Sequence, residues 1–362
     1  MIDIINAHLP YYDNIVLVTG FLNPRETPLD PKVKVEMLTK YKRSSATKRI
    51  LTWFGFWFQS LYYVFVKYRD YKLYFVSNPP LNVLTARFTK RNFAFLFYDI
   101  YPEALVLNSI ISQNSFIYKY WQNINQVIYR KSNRIFTLSQ GMKNLMKIPD
   151  KYSNKADIVP VWTNNTFFKN VPKSDNIFIK QNDLKDKFIV SYSGNLGKTH
   201  PVEKLIDVAL KLVDHEDIMI LIIGEGEKKN MLLDKQQKFM LKNLKILDFQ
   251  PTELFPQVLF AADIGVVTLE ADSADLSVPS KTYNLMSVGK PILTIADHRS
   301  ELAQIVEGNQ MGKNFQENQI EEMVSFIIEL KENVSLCTYM QDKSKQTSLK
   351  FTPDNAKQMI LK

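Results

Sequence analysis

At 362 residues the chain is too long for one ordinary hydrophobic core, so two domains are expected. A composition of 45% hydrophobic and 23% charged residues fits a folded globular protein and excludes a disordered or fibrous one. The net charge of +9 is uneven: residues 1–165 hold 22 Lys+Arg against 10 Asp+Glu, and the remainder holds 24 against 27. Such asymmetry suits an anionic surface facing the first half, with nucleic acid and acidic membrane the two candidates and a solvated basic face without a partner the alternative; in the final reading the membrane is the expected partner and nucleic acid is not.

Met1 to Pro10 has no charged stretch followed by an apolar run, so no secretory signal is read there and a cytoplasmic location is expected. In the first half, candidate strands are Ile15–Thr19, Val33–Leu38, Leu73–Ser77, Phe93–Asp99, Arg134–Ser139 and Asp157–Val161. Between them, residues 48–67 form an aromatic-rich segment flanked by Lys48, Arg49 and Lys67. It is short for a bilayer span and suits either a membrane interface or a helix buried against the first sheet. Residues 163–187 are polar, contain Pro172 and read as an inter-domain connection.

The second half alternates strands and helices. Phe188–Gly194, Ile218–Gly224, Leu244–Phe249, Ile264–Leu269 and Pro291–Ile295 are apolar runs separated by helical patterns, including one with Pro201 near its start. Runs of this kind indicate a parallel sheet covered on both faces, and the ligands of such sheets sit at the carboxyl ends of the strands. The residues expected there are the loops Gly194-Asn195-Leu196-Gly197 and Gly224-Glu225-Gly226. Thr352–Met359 reads as the start of a terminal helix.

The segment Ser277 to Leu293 is the most informative. Pro279 followed by Ser280 predicts a helix start with Ser280 as N-cap, and Gly289 with Pro291 predicts its end before a buried strand. Lys281 stands in the first turn, where the helix dipole disfavours a cation, so a helix-stabilising role does not explain it. An anionic ligand does. Cys337 is the single cysteine, and His8, His200, His215 and His298 have no metal-ligand spacing; no metal site and no cofactor are expected.

Read in order, Tyr98–Glu103, Thr137–Met142, Val159–Trp162, Tyr192–Gly197, Ile222–Gly226, Ala261–Ile264 and the Lys281 segment resemble the retaining glycosyltransferases of family 4, in the branch that builds bacterial surface polysaccharides. The resemblance implies an α/β GT-B fold, two Rossmann-like domains facing a cleft. An acceptor domain would cover residues 1–165, a nucleotide-sugar domain 166–345, and a C-terminal helix 346–362. It implies no catalytic metal. The chain departs from the family in lacking an N-terminal glycine-rich loop, since Val18-Thr19-Gly20-Phe21 has one glycine, and at four single positions. Asn284 stands where a ribose-binding glutamate is usual and Leu276 where its partner glutamate is. Asn195 replaces a phosphate-binding arginine, and His200, with Lys198 close by, replaces a lysine.

The expected activity is sugar transfer from a nucleotide-sugar donor, UDP-linked, to a lipid-linked or growing saccharide acceptor. The enzyme would lie peripherally on the inner face of the cell membrane. Lys281 is expected to neutralise the leaving diphosphate, with Gly194, Asn195, Gly197, Lys198, Gly224, Ser280, Thr282 and Asn284 around the donor. Phe249 and Gln250 would flank the base, and Glu270 would contact the sugar. Asp99 and Glu103 are the acceptor-side candidates; their alternative is to cap the following helix. Two rival readings are a non-catalytic GT-B subunit that binds a partner transferase or glycan, and a GT-B sugar-nucleotide epimerase.

Overall fold

The computed structural model describes residues 1–23, 27–42, 46–276 and 279–361. The chain forms two compact units: Met1–Pro160 with Asp275–Ser277 and Pro353–Lys362, and Val161–Ala274 with Val278–Thr352.

In the first unit β1 (Val16–Thr19) and β2 (Lys34–Met37) make a two-stranded parallel pair. A separate four-stranded parallel sheet takes β3 (Leu73–Val76), β4 (Phe93–Phe97), β5 (Arg134–Thr137) and β6 (Ala156–Ile158) in sequential order. β4 is buried at every position, which its unbroken Phe-Ala-Phe-Leu-Phe run requires of a central strand covered on both faces.

The aromatic segment is a helix over Ala46–Tyr62 that continues as a π-turn over Tyr63–Lys67. Phe56 and Ser60 are buried against the unit, whereas Ile50, Leu51, Phe54, Phe58, Tyr62, Phe65 and Val66 are exposed, Leu51 at 65% and Phe58 at 62%. Positions 51, 54, 58, 62 and 65 follow the helical period, so the exposed residues form one stripe. The helix is therefore not the fully buried element that was one expectation. Among the described residues no helix is long and apolar enough to cross a membrane. Its carboxyl end is held by Arg91, whose guanidinium donates to the carbonyl oxygens of Tyr68 (2.7 Å), Arg69 (2.6 Å), Tyr71 (3.0 Å) and Val64.

The second unit has a six-stranded parallel sheet in the order β12-β11-β10-β7-β8-β9. Its strands are β7 (Phe188–Ser193), β8 (Ile218–Ile223), β9 (Leu244–Leu247), β10 (Ile264–Thr268), β11 (Ile292–Ile295) and β12 (Gly312–Phe315). The chain starts in the middle at β7, runs outward to β9, then returns to β10 on the other side. The carboxyl ends of β7 and β10 thus flank the topological switch point, where a doubly wound sheet opens a crevice. The helix Lys281–Ser287 packs against β10 at Gly265, where a Cβ would lie 2.4 Å from a Leu285 methyl. That close approach fixes the height at which Lys281 enters the crevice. Gly289, at φ +67°, ends the helix in the left-handed region, and Lys290 N donates to the Leu285 carbonyl (3.0 Å).

Three expectations are corrected. Residues 163–187 belong to the second unit rather than forming the connection between two: Phe168, Phe178, Ile179 and Leu184 are buried in its cores. β12 was not expected at all. Pro353–Met359 is a 3-10 turn rather than an α-helix, the last α-helix being Val334–Ser348.

Candidate active site

The switch point of the second unit is built from two loops drawn together by backbone hydrogen bonds. Gly194 N donates to the Ile223 carbonyl (2.9 Å), Leu196 N to Glu225 (2.8 Å) and Lys228 N to Leu196 (3.0 Å). The loops meet so closely at Gly224 that a Cβ there would lie 1.9 Å from the Gly194 carbonyl oxygen. Only glycine permits that approach, so the loop after β7 is held by the loop after β8.

Lys281 reaches into this corner. Its Nζ is buried and has no hydrogen-bond partner among the described residues, although the residue as a whole is half-buried. The ammonium sits 3.8 Å from the centre of the Tyr192 ring. A Cβ on Gly194 would stand 2.7 Å from Nζ, so the glycine makes room for the amine. Burial lowers the Lys281 pKa to about 7, because nothing nearby pays back the lost hydration. An isolated buried ammonium is costly, and a cation–π contact offsets only part of the cost.

Neighbouring groups fix the frame. The Tyr192 hydroxyl donates to the Asn195 carbonyl (2.6 Å), which pins the glycine loop. His200 Nδ1 donates to the Thr268 carbonyl (2.9 Å), joining the loop after β7 to the end of β10. A carbonyl can only accept, so Nδ1 carries the proton and Nε2 is the acceptor. Burial first, then the charge of Lys281, lowers the His200 pKa to about 4 and keeps the ring neutral. Lys228 Nζ donates to the His200 carbonyl (2.8 Å) and to Glu203 Oε2 (2.8 Å).

The expected residues divide accordingly. Lys281, Gly194, Asn195, Gly197 and Gly224 come together. Glu270 follows β10, its N–H donating to the Thr199 carbonyl (3.1 Å), and its carboxylate lies 3.8 Å from Lys228. Burial, then Glu317, raises its pKa. Thr282 is buried with its hydroxyl unpartnered. Asn284 Oδ1 accepts from the Thr163 hydroxyl (2.9 Å).

Other residues stand apart. Lys198 is exposed and lies 3.8 Å from Glu227, outside the corner. Ser280 precedes the helix in a helical conformation (φ −59°, ψ −24°) with no side-chain cap bond, so the expected N-cap role is corrected. Ser277 and Val278 lie outside the described residues. Phe249 is 53% exposed beyond the edge strand β9, and Gln250 Nε2 donates to the Asp248 carbonyl (3.0 Å). Tyr192 and Thr268 were missed. Tyr192 could have been found as the aromatic two residues before the loop glycine.

In the first unit Asp99 follows β4, and its N–H donates to Ser77 Oγ (3.0 Å). Glu103 opens a short helix and is half-buried; Oε1 accepts from the Tyr118 hydroxyl (3.1 Å) and from Gln122, and Oε2 is unpartnered. Burial raises its pKa.

Residues 173–347 match the model of the family described as "Glycosyl transferases group 1". WbjE of Pseudomonas aeruginosa, named a probable glycosyltransferase, is 28% identical over 248 residues, 66% of this chain and 60% of its own length. The chain thus spans about three fifths of that curated relative. Among solved structures, Anabaena HepE in complex with UDP-glucose superposes with a TM-score of 0.72 at 14% identity, covering 99% of this chain and 93% of that one. WaaG, a glycosyltransferase involved in lipopolysaccharide biosynthesis, gives 0.70 at 10% identity over 99% and 94%. The α/β fold with parallel sheets is that of the GT-B glycosyltransferases.

Proposed function

We propose that this chain is a glycosyltransferase that moves a sugar from a UDP-linked donor to a lipid-linked or growing saccharide in bacterial surface-polysaccharide assembly. The buried, unpartnered ammonium of Lys281 at the switch point carries this reading. The donor's diphosphate gives that ammonium the partner the protein withholds. As the bond from the anomeric carbon to the diphosphate breaks, negative charge grows on the phosphate oxygens. A pre-placed cation in a site shut off from water stabilises that charge without reorganisation. The ammonium supplies the charge that a divalent metal supplies in other transferases, and this is the ground for reading the reaction as metal-independent. Retention follows if the departing phosphate takes the acceptor hydroxyl's proton on the same face.

On the acceptor side, Asp99 is the group proposed to orient the hydroxyl. Glu103, engaged by Tyr118 and Gln122, braces the helix Phe116–Lys131 beside it. The exposed stripe of Leu51, Phe54 and Phe58, within a unit of strongly positive charge, suits peripheral docking on an anionic inner membrane face. The similarity to WbjE supports a transferase, the likeness to UDP-glucose-bound HepE supports the donor class, and the likeness to WaaG, involved in lipopolysaccharide biosynthesis, supports the setting.

Calorimetry of UDP with the purified chain tests the reading. Lys281→Ala should weaken binding by about 1.5–3 kcal/mol, the scale of a hydrogen bond to a charged group. Equal affinities would remove Lys281 from the donor site. Consumption of UDP-glucose by the purified chain alone separates an enzyme from a non-catalytic subunit: UDP binding with no turnover of any UDP-sugar, with or without acceptor, would establish the latter.

A further inference from the structure

The first unit holds a second assembly of polar and aromatic groups that the donor site does not use. Trp53, on the exposed helix, stacks on Tyr41 with ring centres 6.1 Å apart and planes at 10°. Tyr101 stacks on Trp121 of the helix Phe116–Lys131 at 5.9 Å and 26°. The two pairs adjoin: Asp99, Tyr41 and Arg49 all act electrostatically on the Tyr101 hydroxyl. Each of the six side chains belongs to a half-buried residue, so the group is neither core nor open surface. Two of its donors, Arg49 Nε and Trp121 Nε1, are buried with no acceptor among the described residues. A buried donor left unpaired is costly, and a ligand oxygen removes that cost.

The chemistry of the set is specific. A guanidinium matches phosphate oxygens with a planar fork. Aromatic faces take the C–H face of a sugar ring, while the indole N–H and the carboxylate meet its hydroxyls. The same helix that supplies Arg49 and Trp53 presents Leu51, Phe54 and Phe58 outward, so a lipid tail and a phosphate head would be met within two turns. We propose that Tyr41, Arg49, Trp53, Asp99, Tyr101 and Trp121 form a binding site for the phosphate-linked sugar of the acceptor, with Arg49 on the phosphate and the aromatic pairs on the sugar. The proposal rests on the transferase reading, for which it names the acceptor class.

The test uses the full chain and two probes, N-acetylglucosamine 1-phosphate and farnesyl-diphosphate-linked N-acetylglucosamine, read by tryptophan fluorescence and calorimetry, with UDP titrated in parallel. Arg49→Gln and Trp121→Phe should each weaken probe binding by about tenfold, the loss of one charge-assisted or buried contact, with UDP affinity unchanged. Arg49→Lys should restore part of the loss. Binding of both probes means that the head group alone is read, and binding of the farnesyl form alone means that the acceptor is membrane-borne; either outcome supports the site. Probe binding that survives both substitutions overturns it, as does a wild-type chain that binds UDP but neither probe. A chain that binds a probe and not UDP would instead sink the transferase reading and leave this site standing.

Discussion

Lysine does opposite things in the two units. In the second, Lys281 is sealed in a corner between two strand ends, against a tyrosine ring and without an anion. In the first, Lys48 is an exposed cation in the first turn of a helix whose apolar stripe faces solvent. A buried charge gains a great deal from one well-placed anion and is weakly screened by salt. Exposed charges gain little each and act together over a surface. Under the proposed function, the contrast pairs a small, specific anion with one unit and an extended anionic surface with the other.

The strongest way to break that contrast is to remove the buried charge. Lys281→Met should stabilise the ligand-free protein by about 1–4 kcal/mol at pH 7 while weakening UDP binding as Lys281→Ala does. The sign follows from the lowered pKa: between pH 7 and the ordinary lysine range the unfolded chain binds more protons, so wild-type stability rises with pH across that window. The methionine variant should lack that rise in urea denaturation. Destabilisation instead would mean that the ammonium has a partner. For the same reason UDP affinity should fall as pH rises above about 7, where free Lys281 loses its proton.

Next, Gly224→Ala forces a Cβ into the Gly194 carbonyl, at an overpacking cost of about 1–3 kcal/mol. UDP binding should suffer with it, since the two loops must part. Normal stability would show that the loops are not held together. On the first unit, replacing Leu51 and Phe58 by Ser should weaken partition onto anionic vesicles by about 2 kcal/mol, because little of either side chain is buried before docking. The unfolding midpoint should not move, and a fall in it would mark the stripe as a packed face. The smallest effect expected is that of Asn284→Ala, about 0.5–1.5 kcal/mol of stability through the bond from Thr163.

Much of the second unit was legible because its strands are buried on both faces and read as apolar runs. β12 escaped because Gly-Lys-Asn-Phe, at a sheet edge, has no such run. The segment 163–187 misled because Phe168, Phe178 and Leu184 are spread among lysines, asparagines and aspartates, which hides the core they enter. Lys281 was visible as a cation that helix electrostatics disfavour. Its burial over Tyr192 was not, because that contact joins residues far apart in sequence across the sheet. Ser280 was misjudged for a related reason. Cap propensity describes a residue type, whereas its helical backbone angles place the side chain out of reach of the first N–H groups.

The Arg91 clamp bears on how the exposed helix could meet a membrane. A helix that ends at an interface ordinarily leaves carbonyls that must either keep their water or lose it at a cost. Here one guanidinium already satisfies four carbonyls at and just beyond that end, those of Val64, Tyr68, Arg69 and Tyr71. The helix end carries its own substitute for hydration, so transfer toward lipid strips no water from those groups. The change of medium then falls on the side chains of the stripe alone.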